Sequence, residues 1–285
     1  MPDVSIIIAV SSGSAEALAR SLASALEQPG APEVVLAGAP PAGVTWDPAR
    51  VRVVEPPAGA GSGEALDAAV AAAGAPLVVV LEPGERLAAD ALSRHQGALE
   101  SPSVVASYGR TAVDEGGRVR QRPDQGRGGA GVLGRLLQDR HLVASSACLA
   151  WRREAAGAAP FAGIDSPAGR RLALALRLAR QGELVFHPAT LAERTAAPGD
   201  VAEQEEVVRV VLGVLYGPQP LDEKTEHRAR VRLARELVAL GKHHHRQGDL
   251  RRAGKFFDEA VKAAPGYFRG RRYQFLNFVK NLLRG

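Results

Sequence analysis

The residues best placed for chemistry lie in "PLVVVLEPGERLAADAL", residues 76–92. An apolar, buried-looking run ends there in Glu82-Pro83-Gly84-Glu85, two carboxylates three positions apart on a Pro-Gly turn. Hard divalent cations take oxygen ligands, so a pair of carboxylates at a strand end is one way to hold such an ion. The alternative is that Glu85 favours the N-terminus of the helical pattern that follows. Other groups are less well spaced. "GAGSG" (59–63) lacks the G-x-G-x-x-G spacing of a dinucleotide loop and follows Pro-Pro. His243, His244 and His245 are adjacent, and neighbours on a helix point about 100° apart, which reads as a solvated basic face rather than a chelating cluster. Ser145, Ser146 and Cys148 have no nearby base pattern for nucleophilic catalysis.

The elements that must position Glu82 read as a repeating strand–helix pattern. "VSIIIAV" (4–10), "EVVLAG" (33–38), "VRVVE" (51–55) and "PLVVVLE" (76–82) are strands, with amphipathic helices over 14–28 and 62–74. The strands are continuously apolar rather than alternating, which predicts a sheet covered on both faces and right-handed crossovers, an α/β fold. Ligands of such sheets bind outside the carboxyl ends of the strands, where Glu82 and the "SSGS" after the first strand both fall. The middle is mixed. Residues 103–120 predict two strands around an Asp-Glu-Gly-Gly turn, 122–131 a loop, 141–154 a strand, 166–182 an amphipathic helix stopped by glycine, and 183–188 a further strand. From Leu221 the pattern is helical. Leu240, Gly241, Ala253, Phe257, Ala260 and Pro265, with the Gly248-Asp249 turn, match the spacing of one tetratricopeptide repeat, so a sheet domain (1–220) and a helical appendage (221–285) are expected.

Composition narrows the classes. At 285 residues and 46% hydrophobic, the chain can bury a sizeable core, and disorder is not the default. A single cysteine, Cys148, excludes an intramolecular disulfide. No apolar stretch reaches the length of about 18 residues that suggests a membrane span. Asp3 stands where a signal peptide carries positive charge, so a cytoplasmic, soluble protein is expected. The net charge of +5 is uneven, since residues from Glu223 onward hold 16 Lys and Arg against 6 Asp and Glu. Only the tail therefore asks for an acidic partner. Its aromatic and basic mixture (Tyr267, Phe268, Arg269, Arg271, Arg272, Tyr273, Phe275, Phe278, Lys280) suits an anionic membrane surface at the inner face, or an acidic protein. The alternative reading packs those aromatics on the helical hairpin and leaves the arginines solvated. Nucleic acid is not an expected partner, because no recognition motif accompanies the basic surface.

Taken together, "VSIIIAV", the helix after it, "EVVLAG", "VRVVE" and "GEALDAAVAAAGAPLVVVLEPGERL" resemble the opening of a family 2 glycosyltransferase. "VVASYGRTAVDEGGRV", "SSACLAWRRE" and "LALALRLARQGELVFHPATLAER" continue the likeness over roughly residues 4–198. The resemblance implies a GT-A fold, a Rossmann-like mixed sheet between helices, and transfer of a hexosyl-type sugar from a nucleotide-diphosphate sugar to a glycan or lipid-linked acceptor. It implies Mg²⁺ or Mn²⁺ held by Glu82 and Glu85 at the family's Asp-x-Asp position, where Gly84 replaces a carboxylate. The donor pocket would be shaped by Ala9, Ser11, Gly38, Asp67 and Glu82. The chain departs from the family where it matters most for catalysis. Gly38, Ala39 and Pro40 stand where acids usually grip the base, and Arg170 and Arg171 stand where a Glu-Asp pair supplies the general base. An arginine cannot accept a proton at neutral pH. Asp165 is the nearest acid that could serve instead, although Asp165-Ser166-Pro167 also reads as a turn or cap. Two functions stay open: an active transferase, and a GT-A scaffold that has lost transfer and serves as an interaction module.

Overall fold

The computed structural model describes residues 3–10, 14–116, 119–121, 131–139, 142–195 and 200–282. The chain starts with β1 (Val4–Ala9), whose six residues are all buried. α1 (Ala15–Leu26) follows, capped by Ser14, whose hydroxyl accepts the Ala17 N–H at 3.1 Å. Leu18, Leu22 and Ala25 recur at helical spacing on its buried face. β2 (Glu33–Ala37), β3 (Val51–Val54), α2 (Ser62–Ala72) and β4 (Leu77–Leu81) complete the strand–helix half. Here the pattern legible in the residues is the pattern found. β1 lies between β2 and β4, parallel to both, with Ile6 opposite Val34 on one side and Val79 on the other.

The second half is less regular than its sequence suggests. A two-residue β5 (Arg86–Leu87) follows the Pro-Gly turn, and α3 (Ala91–Ala98) begins only after it. β6 (Val104–Asp114) and β7 (Val119–Gln121) form the expected antiparallel pair. α4 (Val132–Gln138) comes next, and β8 is confined to Leu149–Arg152 rather than running through 141–154. Residues 142–148 are irregular, and the N–H groups of Ser146 and Ala147 serve the Glu85 carboxylate instead of a strand ladder. α5 (Pro167–Gln181) has Ser166 as N-cap and proline in its first turn. β9 (Glu183–Thr195) extends well past the predicted 183–188, because it pairs along β6 and then receives β5. The sheet order is β3-β2-β1-β4-β8-β6-β9-β5, with β7 beside β6. It is mixed: the first four strands are parallel, and β8 runs antiparallel to both of its neighbours.

The helical remainder comprises α6 (Val201–Leu215), α7 (Glu223–Gln247), α8 (Leu250–Ala263) and α9 (Phe268–Leu282). Two compact units emerge, Met1–Val132 with Arg140–Ala197, and Leu133–Asp139 with Pro198–Gly285. α6 therefore groups with the helices rather than with the sheet, unlike the division at 220/221 read from the sequence. Its Gln204 donates to Glu236, which is buried on α7 beside Arg232. α7 ends at Gly248, left-handed at φ 83°, and Asp249 caps α8 by accepting the Arg252 N–H. The turn folds α8 back on α7 and buries Leu240, Ala253, Phe257 and Ala260, as their spacing predicted. Gly241 is required there, since a Cβ would collide with the Phe257 ring. Among the described residues, no helix is long and apolar enough to cross a membrane.

Candidate functional site

β4 delivers Glu82 to its carboxyl end, and Pro83-Gly84 turn the chain at once. The Glu85 N–H donates to the Glu82 carbonyl at 2.9 Å, and Gly84 sits at φ 90°, the geometry of a type II turn with proline first and glycine second. Ser21 of α1 fixes the turn. Its hydroxyl accepts the Gly84 N–H at 2.9 Å and lies 2.7 Å from the Glu85 carbonyl.

The two carboxylates are held in different ways, and neither caps α3. Glu85 is buried, and its oxygens accept backbone N–H groups from Glu82 (3.0 Å), Ser146 (3.1 Å) and Ala147 (3.2 Å). The segment before β8 is bent because its N–H groups turn toward this acid instead of joining a ladder. Glu82 meets a guanidinium. Arg170, on the first turns of α5 and only 1% exposed, places Nη2 at 2.8 and 2.9 Å from the two Glu82 oxygens and Nε at 3.2 Å. Its Nη1 donates to the Ser62 hydroxyl at 2.6 Å and to the Asp165 carbonyl. One arginine thus ties the end of β4, the start of α2 and the loop before α5. Burial pushes the Glu82 carboxyl up from the ordinary carboxylate range, and the Arg170 guanidinium opposes that rise.

This donor set does not fit a divalent ion. The two acids expected as metal ligands are a carboxylate filled by three backbone donors and a carboxylate paired with a resident cation. Gly84 contributes no side chain between them. Among the described residues, no group of three His, Cys, Asp or Glu comes together as a metal site. His244, read as part of a solvated face, is instead buried and stacked on Phe256 at 5.4 Å between ring centroids.

The remaining expected residues fall as follows. Ala9 is buried at the end of β1, opposite Ala37. Ser11 lies outside the described residues. Gly38, at φ 112°, leaves β2 with its N–H bonded to the Val54 carbonyl at 2.9 Å. Asp67 is buried on α2. Its Oδ1 accepts the Phe161 N–H at 2.9 Å, its Oδ2 has no hydrogen-bond partner among the described residues, and burial raises its carboxyl. Asp165 is exposed and accepts the Gly63 N–H at 3.1 Å, with the Ser62 hydroxyl at 3.3 Å. The helix of Ser62 has no side-chain cap of its own from Gly61, so Asp165 supplies one from across the chain. Cys148 is buried, and burial pushes its thiol up, away from nucleophile chemistry.

A cavity of about 10 Å³, room for about one water, adjoins the Glu82–Arg170 pair. Leu66, Val80, Leu149, Trp151, Phe161 and Leu174 line it, together with Ser146 and Arg171. Asp67 and Asp165 are not part of that lining. Arg170 and Arg171 are legible in the sequence as substitutions, but the pairing of Arg170 with Glu82 is not. The signal was the coincidence of a lost acid on α5 with a weakened carboxylate motif after β4.

No family model matches the chain, and no curated protein matches it. Solved structures do. S. aureus TarS 1–349 in complex with UDP-GlcNAc superposes with a TM-score of 0.63 at 12% identity, covering 96% of this chain and 89% of that one. The same TarS fragment alone gives 0.66 at 11% identity, over 96% and 88%. GalNAc-T7 with UDP, GalNAc and Mn²⁺ gives 0.57 at 15% identity, over 81% and 50%. At these identities the likeness concerns architecture, and the chain has the GT-A glycosyltransferase fold.

Proposed function

We propose that the protein is a glycosyltransferase of the family 2 type, taking a hexosyl group from a nucleotide-diphosphate sugar. The observation that carries this reading is the charged cluster of Glu82, Arg170 and Arg171 at the carboxyl end of β4 in a GT-A sheet, the edge where such sheets bind ligands. The solved neighbours with UDP or UDP-GlcNAc bound support a nucleotide donor. The nucleoside would lie along the ends of β1 and β2, near Ala9 and Gly38. A glycan or lipid-linked acceptor would lie beneath the 141–198 half. The hairpin of α7 and α8, with its repeat-like spacing, would serve as an interaction element.

The expected result is stabilisation of the fold by UDP, GDP or dTDP in a thermal-shift titration. A ligand at 100 times its dissociation constant contributes about 2.7 kcal/mol. Absence of a shift with all three overturns the donor reading.

A second reading is favoured by one specific feature. The cavity beside Glu82 has no unpaired carboxylate in its lining, and inverting transfer needs a base for the acceptor hydroxyl. On that reading the fold binds the donor and does not turn it over. Release of nucleoside diphosphate from a bound nucleotide sugar separates the two, being expected for the transferase and absent for the scaffold.

A further inference from the structure

GT-A chemistry builds negative charge on a leaving diphosphate, and something positive must meet it. In this chain the usual ligand positions are closed. Arg170 lies bidentate on Glu82 and donates its remaining N–H groups to Ser62 and the Asp165 carbonyl, so the pair is neutral and saturated. The next residue differs. Arg171 is half-buried, lines the same cavity, and has no hydrogen bond or ion pair among the described residues. Glu82 is paired with Arg170 and the Glu85 oxygens are taken up by backbone donors, so Arg171 is the charged group of this lining that keeps its hydrogen-bonding donors unused among the described residues. A second group also waits for an acceptor. The Nε1 of Trp151, fully buried in the lining of that cavity, has no hydrogen-bond partner among the described residues. The cavity has room for about one water, which would meet Trp151, and the unused guanidinium of Arg171 beside it suits an oxyanion.

We infer that arginine is the cation of this site: Arg170 takes the place of a metal ion on Glu82, and Arg171 meets the diphosphate of the donor, so that binding needs no divalent ion. This rests on the donor reading above, and the probes keep the two apart. Titration calorimetry with UDP and with inorganic pyrophosphate, each in EDTA and in Mn²⁺, should give the same affinity in both buffers. Arg171→Ala should weaken both ligands about tenfold to a hundredfold, the loss of one or two charge-assisted hydrogen bonds, with an unchanged melting temperature. Arg171→Lys should recover part of the loss, because it restores the charge without the fork. Binding that requires Mn²⁺, binding unaffected by Arg171→Ala, or failure of both probes overturns the inference. Pyrophosphate binding without UDP binding would uphold the arginine site and remove the nucleoside reading instead.

The helical unit carries a separate observation. α9 packs through Gly270, Tyr273 and Asn277; Tyr273 stacks on Phe257, and Asn277 Nδ2 donates to the Leu250 carbonyl at 3.1 Å. Its opposite face is bare, with Phe268 74%, Phe275 65% and Phe278 63% exposed. At helical spacing these three share one sector, with Arg271 and Arg272 beside them. From Tyr267 onward the sequence has Arg269, Arg271, Arg272, Lys280 and Arg284 and no acidic residue. A second copy of this face would bring like charge against like charge, whereas an anionic lipid surface accepts both the rings and the arginines. We propose that α9 lies on anionic membranes. Vesicles with phosphatidylglycerol should sediment the protein at least about tenfold more strongly than neutral phosphatidylcholine vesicles, given the charge near the surface. Phe275→Ser with Phe278→Ser should abolish that binding and leave the melting temperature unchanged. Equal binding to both vesicles, no binding to either, or a dimer in light scattering that the same substitutions dissolve would overturn it.

Discussion

Arg170→Ala lowers the stability of the sheet unit by about 3–5 kcal/mol, the cost of leaving a buried charge without its partner. For a unit of this size that is a fall in melting temperature of roughly 6–20 °C. The effect is large because Arg170 is not a surface ion pair. It is 1% exposed, Glu82 is 6% exposed, and its N–H groups also hold Ser62 and the Asp165 carbonyl. Glu82→Gln combined with Arg170→Met should be far milder, since replacing both members of a buried pair by groups of similar shape is often neutral. The pH dependence has a definite sign. Burial raises the folded-state pKa of Glu82 above its unfolded value, so its favourable contribution is present below the unfolded pKa and is lost as pH rises through the folded one. Removing the guanidinium that opposes this shift raises it further. The deficit of Arg170→Ala against the parent should therefore be smallest in acid and grow toward neutral pH, as urea midpoints at several pH values would record. A loss below about 1 kcal/mol, the range of exposed pairs, would show that the pair is not buried in solution.

Phe257→Ala should cost the helical unit about 3–5 kcal/mol. Phe257 is fully buried between α7 and α8, stacked on Tyr273 with centroids 5.7 Å apart, and its ring lies over Gly241. Burying such a side chain contributes about 1.5–3 kcal/mol, and the cavity left by truncation adds to the loss. Neighbouring Phe256, which stacks on His244, is less enclosed. Phe256→Ala should therefore cost less than Phe257→Ala in chemical denaturation followed by far-UV circular dichroism. Equal costs would mean that the hairpin is not packed as described.

The sequence by itself determined the strand–helix half, because a parallel sheet covered on both faces writes its strands as short continuous apolar runs. β1, β2, β3 and β4 could be read from Val, Ile and Leu alone. Local chemistry also determined the turn at Gly248-Asp249 and the buried spacing of Leu240, Ala253, Phe257 and Ala260. Glu82 could be singled out as a candidate because a strand end in such a sheet is where ligands bind. What Glu82 and Glu85 do was not legible. Two glutamates three apart look alike on paper, and only the tertiary structure gives one to Arg170, 88 positions away, and the other to the backbone of Ser146 and Ala147. β5, the late part of β9 and the placement of α6 were likewise decided by partners distant in the chain, since a two-residue strand or a polar-faced helix has too little local pattern to announce itself. Asp165 shows the same division. Its type and its Ser-Pro neighbours predicted a cap, but the helix it caps is α2, about a hundred residues earlier. Propensity and periodicity are local and act over a few residues. Ion pairing and burial of charge act between whichever groups the fold brings together, and in this protein they decide the site.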